Sequence, residues 1–317
     1  MSNRCNNNGR AYEFACLNCL FDAIIKIRPA QIIKNSSYYA AQSAWDEISE
    51  AEHVIYKLSA NSTIDTIFSL EPNIVEITND TLSLYIQKDE RGEEGDVRDI
   101  IIERKDIVWE IGLSIKHNHA AVKHCRLSDK IDFGEKWYGV KCSQQYWEEV
   151  SPTFVFLEKE RNKGTLFDEF VDKEDRIYLP ILNAFKNEIS RVMQADKSLP
   201  AKMVEYLLGK YDFYKIISID SIKVTTIQSF NMHGNLNKPS RAAKPKKNVP
   251  LLSMPQNLIF LGFKPNSKNT ILMSFDNGWL FSFRIHNAEK SVIPSLKFDV
   301  QVIGMPAEVN IKINCKW

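Results

Sequence analysis

The chain has 317 residues, 44% of them hydrophobic and 26% charged, a composition that excludes a disordered or membrane-embedded protein. No apolar run reaches the ~18–20 residues of a membrane span. Glu13, Asn18 and Asp22 interrupt the first apolar stretch, so no secretory leader is expected and the protein is predicted to be cytoplasmic. Lys and Arg number 41 against 40 Asp and Glu, so the net charge of +1 singles out no partner.

Residues 9–28 carry Phe14, Leu17, Leu20, Phe21, Ile24, Ile25 and Ile27 near the helical period, and Pro29 ends the run. Cys16 and Cys19 have CxxC spacing within it, but no second pair completes a zinc site, and a helix face accounts for them. Six unevenly spaced cysteines fit reduced thiols better than a disulfide framework. Residues 35–60 form a second helical region with Tyr38, Ala41, Trp45 and Ile48 on one side, and a short third helix follows before Pro72.

Residues 81–87 alternate as a strand. The runs 97–103 and 107–116 are short, rich in β-branched residues and joined by Arg104-Lys105-Asp106, which predicts an antiparallel hairpin. Residues 117–130 return to helical spacing, and 143–208 read as helices interrupted near Pro152, Pro180 and Pro200. Beyond Tyr211 the chain is β-rich, with a hairpin signal at Asn277-Gly278 and a basic, proline-containing loop at 234–250 that reads as mobile. The expected division is a core at 1–210 and a β-rich region at 211–317.

Charge is unevenly distributed. Residues 71–110 hold twelve acids against five Lys or Arg, whereas 115–141 hold six Lys or Arg and three His against three acids. The boundary falls in GDVRDIIIERKDIVWEIGLSIKHNHAAVKHCR, residues 95–126. Strand alternation sends Trp109, Ile111, Leu113 and Ile115 into a core and Glu110, Gly112, Ser114 and Lys116 to the other face. Gly95 delivers Asp96 and Asp99 to the mouth of the preceding strand. Carboxylates able to bind Mg²⁺ beside a strand-borne lysine are the arrangement of PD-(D/E)XK nucleases, in which the metal polarises a phosphate and acidifies a water.

A (D/E)XK element places an acid two residues before the lysine, and here Ser114 stands there. Glu110 is six residues before Lys116, roughly 20 Å along an extended strand, so both reach one metal only if the strand bends, as at Gly112. A tight turn at Arg104-Lys105 sets Asp99 opposite Glu110; a turn shifted toward Asp106 sets it nearer Gly112 or Ser114. On a helix after Lys116, the residues His119, Lys123 and Arg126 would share one face and contact phosphate. A zinc site from His117, His119, His124 and Cys125 would crowd four ligands at one junction, against usual metal spacings.

The segments GDVRDIII, WEIGLSIKHNH, AVKHCRLS, IDFGEKWYG, KMVEYLLG, DFYKIISID and QSFNMHGNLN resemble the HaeIII family of type II restriction endonucleases, as do GRAYEF, IIKNSS and DTIFSLEP. The resemblance spans about residues 9–237. It implies an α/β fold of the PD-(D/E)XK type, a mixed sheet flanked by helices, with a β-rich C-terminal portion. It also implies Mg²⁺-dependent cleavage of double-stranded DNA at GGCC, between G and C, leaving blunt ends with 5′-phosphates and using no nucleotide cofactor. By position, Asp99 becomes the metal carboxylate and Lys116 the lysine, with Glu110 or the Ser114 position third and Glu13 an accessory acid. Guanine N7 and O6 call for Arg or Lys and cytosine N4 for an acceptor, which points to Gln228, Asn231, His233, Asn235, Lys238 and Arg241. A palindrome implies a homodimer. The contrary reading, favoured by Ser114, is a DNA-binding protein of the same fold with a decayed site.

Overall fold

The computed structural model describes residues 2–88, 95–118, 123–309 and 312–317. It divides the chain into two compact units, each assembled from separated segments. Unit 1 comprises residues 1–120, 209–253 and 307–317; unit 2 comprises 121–208 and 254–306. These units do not follow a single cut at residue 210, because strands from both sides of that point pair in one sheet.

Unit 1 is built on a mixed seven-stranded sheet of order β1-β2-β3-β4-β6-β7-β12. The strands are β1 (Ala30–Ile32), β2 (Leu82–Ile86), β3 (Ile100–Arg104), β4 (Trp109–His117), β6 (Phe213–Ile219), β7 (Val224–Phe230) and β12 (Lys312–Lys316). The pairs β1/β2 and β4/β6 are parallel and the rest antiparallel. Among the described residues, five helices accompany it: α1 (Ser2–Ile24), α2 (Ser36–Asp46), α3 (Glu50–Asn61), α4 (Ile64–Leu70) and α5 (Pro72–Val75). Alternation decides the faces: Ile100, Ile102, Ile111, Leu113, Ile115, Tyr214, Ile216 and Ile227 enter one core with Tyr12, Leu17 and Leu20 of α1. The helical region expected at 35–60 is two helices. Ser49 breaks it by capping α3, its Oγ accepting from Glu52 N at 3.3 Å while Glu52 Oε2 accepts from Ser49 N at 2.9 Å.

A buried ion network ties this unit's early elements together. Arg104 donates to Glu76 Oε2 at 2.6 Å and, through Nε, to Asp80 Oδ2 at 2.8 Å; Arg28 reaches Asp80 Oδ1 at 2.7 Å.

Unit 2 holds a five-stranded antiparallel sheet of order β5-β11-β10-β9-β8. Its strands are β5 (Lys123–Leu127), β8 (Leu258–Phe263), β9 (Thr270–Phe275), β10 (Leu280–His286) and β11 (Leu296–Gly304). Its longer helices are α7 (Gln144–Lys163), α8 (Leu179–Ala195) and α9 (Leu199–Leu208), preceded by the short α6 (Phe133–Tyr138). Trp137, Phe185, Phe283 and Phe298 pack ring against ring in its core. The hairpin at Asn277-Gly278 is present, with φ of 58° and 87° at those residues.

Two expectations need correction here. Pro152 lies inside α7 and does not interrupt it. Residues 123–127 are a strand, not part of a basic helix: Cys125 (3% exposed) and Leu127 (0%) are buried, Arg126 is exposed between them, and β11 pairs alongside. The period of two prevailed over an apparent helical spacing of charges. Among the described residues no helix is long and apolar enough to cross a membrane.

Candidate active site

The β3–β4 hairpin closes through Lys105–Ile107, with Val108 at φ 50°. This longer turn pairs Ile100 with Leu113 and Glu103 with Glu110. Continuing that register sets Asp99 opposite Ser114, the second of the two alternatives open from the sequence. Asp99 N donates to Leu113 O at 2.8 Å, which fixes the carboxylate's origin at the edge of the ladder.

Asp99 is then held by its neighbours on β4. Its Oδ2 accepts from Ile115 N at 2.6 Å, Lys116 Nζ at 3.0 Å and Ser114 Oγ at 3.4 Å. No hydrogen bond is recorded to Oδ1 among the described residues. The Asp99 and Lys116 side chains are 23% and 26% exposed, enough for substrate to reach both. Burial disfavours the Lys116 charge, but Asp99 and then Glu13 outweigh it and raise its pKa above the ordinary value. Glu13, on α1, is thus brought into the field of the pair, and it lines a cleft of about 280 Å³ with Arg10 and Lys88.

Glu110 is taken up elsewhere. Arg98 Nη1 donates to Glu110 Oε1 at 2.8 Å, while Arg98 Nε and Nη2 each donate to Asp96 at 2.8 Å. The guanidinium also stacks on Tyr211, 4.1 Å from its ring centre. Gly112 makes this possible, since a Cβ there would lie 2.0 Å from Arg98 Cδ. Gly112 therefore gives Arg98 its bed and does not bend Glu110 toward Asp99. Glu110 stands four residues from Ser114, roughly 13 Å along the strand.

The register extends the site across the sheet. Ser114 pairs with Lys215 on β6, Lys215 with Gln228 on β7, and Gln228 with Lys312 on β12. Lys215 (4% exposed) and Gln228 (5%) are buried in this polar row. Burial first, then the Lys116 charge, pulls the Lys215 pKa down to about 7. Neither Lys215 nor Arg98 belongs to a motif legible in the sequence. The signal for the first was a lone lysine at an alternating position of the apolar strand FYKIISI; for the second, a cation set between two acids in GDVRD.

The loop at 234–250, expected to be mobile, is tied by hydrogen bonds to three carboxylates. Asp212 accepts from Met232, His233 and Asn235 backbone N–H groups at 2.6, 2.9 and 2.7 Å. Glu71 accepts from Asn237 N at 2.6 Å, and Glu76 from Arg241 N at 2.8 Å. Asn231 is 4% exposed, its amide spent on Val249 O and Leu236 N. His233, Asn235, Lys238 and Arg241 are exposed. Asn235 and Lys238 line a cleft of about 370 Å³ together with Arg98, Glu110 and Tyr211.

Lys123 and Arg126 belong to unit 2's sheet, where Arg126 donates to Ser295 Oγ at 3.1 Å. His119 lies outside the described residues. His117 Nε2 meets Asp220 Oδ2 at 2.8 Å, its ring packed against Tyr56, and Cys125 is buried in unit 2. Among the described residues, no three His, Cys, Asp or Glu are grouped to hold a metal.

A carboxylate and an amine joined across a hairpin suit the cleavage of phosphodiesters, and kinship gives the class: the chain is a restriction endonuclease, an enzyme that cleaves DNA. A model of the HaeIII restriction endonuclease family matches residues 9–306, and the chain belongs to that family. It is 51% identical over 318 aligned residues to the type II restriction enzyme HaeIII of Haemophilus aegyptius, covering 100% of this chain and 99% of that one. No solved structure matches.

Proposed function

We propose that this enzyme is a type II endonuclease of the PD-(D/E)XK type that hydrolyses double-stranded DNA at GGCC, between G and C, leaving blunt ends with 5′-phosphates. The observation that supports the chemistry is the Lys116 Nζ to Asp99 Oδ2 contact of 3.0 Å at the open end of the hairpin. Likeness over the full length to a HaeIII enzyme supports the specificity.

Mg²⁺ suits the residues present. It takes hard oxygen ligands and is often bound by only one or two carboxylates together with water and phosphate oxygens, so the lack of a three-residue cluster does not conflict with it. Asp99 would hold it through Oδ1, and Glu13 supplies the second carboxylate that Ser114 does not. When bound, Mg²⁺ adds charge against the phosphate and eases deprotonation of a water.

The protein's own groups do the rest. Lys116, kept protonated by Asp99, faces the negative charge that builds on the phosphate oxygens as water attacks. The Ile115 amide and Lys116 fix Asp99 in one orientation before DNA arrives. Arg98 keeps Glu110 as a structural and cleft-lining carboxylate. His233, Asn235, Lys238 and Arg241 present donors and acceptors on a loop that Asp212, Glu71 and Glu76 hold in shape, as base reading and phosphate contact require. The enzyme acts in the cytoplasm as a homodimer, one active site for each strand of the palindrome.

The test is to incubate the purified enzyme with plasmid DNA and Mg²⁺ and to sequence the ends. Blunt cuts within GGCC are expected; no cutting, or cutting unrelated to GGCC, sinks the proposal. Analytical ultracentrifugation with and without a GGCC duplex checks the dimer.

A further inference from the structure

Lys215 occupies a costly place. On its face of β6 the neighbours are Phe213 and Ile217, 1% and 9% exposed, and an amine placed among them loses water that an apolar side chain would not miss. Its cross-strand partner is Ser114, at the position where a (D/E)XK element carries its acid. Ser114 in turn stands opposite Asp99, and Lys116 is two residues further along the same strand. Adjacent strands lie about 4.8 Å apart, so a four-carbon stem from position 215 keeps its amine within the electrostatic reach of both. In keeping with this placement, and after the larger effect of burial, the Lys116 charge disfavours a charged Lys215 and Asp99 favours it.

We propose that Lys215 is a positioning residue of the cleavage site, its amine acting on the Asp99 carboxylate and the Lys116 ammonium to set how tightly the site holds a divalent cation and how fast it cuts. Lys215 pairs with Ser114 across the strands, and Lys116 lies two residues along β4 from it. Lys215 presses the Lys116 ammonium toward Asp99 and competes, as a like charge, with any metal ion brought to that carboxylate. This inference rests on the nuclease reading with Asp99 as the metal carboxylate.

Lys215→Met and Lys215→Arg are compared with the parent and with Asp99→Ala at pH 6.5. Mn²⁺ affinity is measured by calorimetric titration without DNA, and single-turnover cleavage is followed with Mg²⁺. Met removes the charge at similar volume, so Mn²⁺ should bind more tightly, by about threefold or more for one like charge lost, while cutting slows at least tenfold. Arg keeps the charge and should bring both values back toward the parent. A lysine serving packing alone would shift cation affinity toward weaker binding or leave it unmoved. Unchanged or weaker Mn²⁺ binding, an unchanged cutting rate, or an Arg variant no nearer the parent than Met overturns the proposal. Circular dichroism confirms folding, and Lys215→Gln takes the place of Met with the same readings if Met does not fold. If the parent fails to cut, or Asp99→Ala leaves Mn²⁺ binding intact, the fault lies in the nuclease reading beneath it.

Discussion

Asp99 Oδ2 accepts a hydrogen bond from the backbone N–H of Ile115 at 2.6 Å while Lys116 Nζ lies 3.0 Å from the same oxygen. A backbone amide cannot swing away, so this contact sets the carboxylate's orientation in the free enzyme. Asp99→Ala should abolish cleavage while GGCC binding, measured by gel shift without Mg²⁺, stays within a few-fold of the parent. Retained cutting would mean that another carboxylate is the essential one.

Glu13 and Glu110 separate cleanly by their neighbours. Glu13 acts on Lys116, and Glu110 is engaged by Arg98. Glu13→Gln should weaken Mn²⁺ binding and slow cutting by about 10–100-fold, the range for groups that support a metal site. Glu110→Gln should leave Mn²⁺ affinity within about threefold. Equal losses in calorimetry would place Glu110 at the metal.

Gly112→Ala puts a methyl group 2.0 Å from Arg98 Cδ, and Arg98 is clamped by Asp96 and Glu110. Overpacking of this kind costs about 1–3 kcal/mol. Urea denaturation should show that loss with the slope unchanged; an unaltered midpoint would show that Arg98 moves aside freely.

Asp80 is held well below the usual carboxylate range, chiefly by the Arg104 hydrogen bonds and further by Thr78 and Arg28, against the cost of burial. Its folded pKa lies below its unfolded value of about 3.9. The contribution to stability is therefore complete above that value and is lost as pH falls through it toward the folded pKa. Urea midpoints between pH 6 and pH 2.5 should fall steeply for the parent. Asp80→Asn should begin lower and fall less; an identical acid slope would remove Asp80 from the account.

Lys238 and Arg241 are exposed on the pinned loop. If each meets a phosphate, Lys238→Gln and Arg241→Gln should each reduce the slope of log K against log salt by about 1. A slope equal to the parent's in fluorescence anisotropy would exclude a phosphate contact for that residue.

The sequence by itself determined the strand-rich centre, the antiparallel hairpin and the opposing faces of β4, because alternation of Ile111, Leu113 and Ile115 with Gly112 and Ser114 is local and repeats every two residues. It also carried the family, through long segments such as DFYKIISID and GDVRDIII. Only the tertiary structure decided the register, since turn length and not composition sets whether Asp99 meets Ser114 or Glu110. Charge spacing at 123–126 suggested a helix, yet pairing with β11 made it a strand, because backbone hydrogen bonding and the burial of Cys125 and Leu127 outweigh the placing of a few cations. The loop at 234–250 looked loose in composition, yet Asp212, Glu71 and Glu76, distant in sequence, accept hydrogen bonds from its backbone. Lys215 joined the site for the same reason: a parallel pairing across roughly a hundred residues of chain put it beside Ser114, and no local pattern encodes a partner that far away.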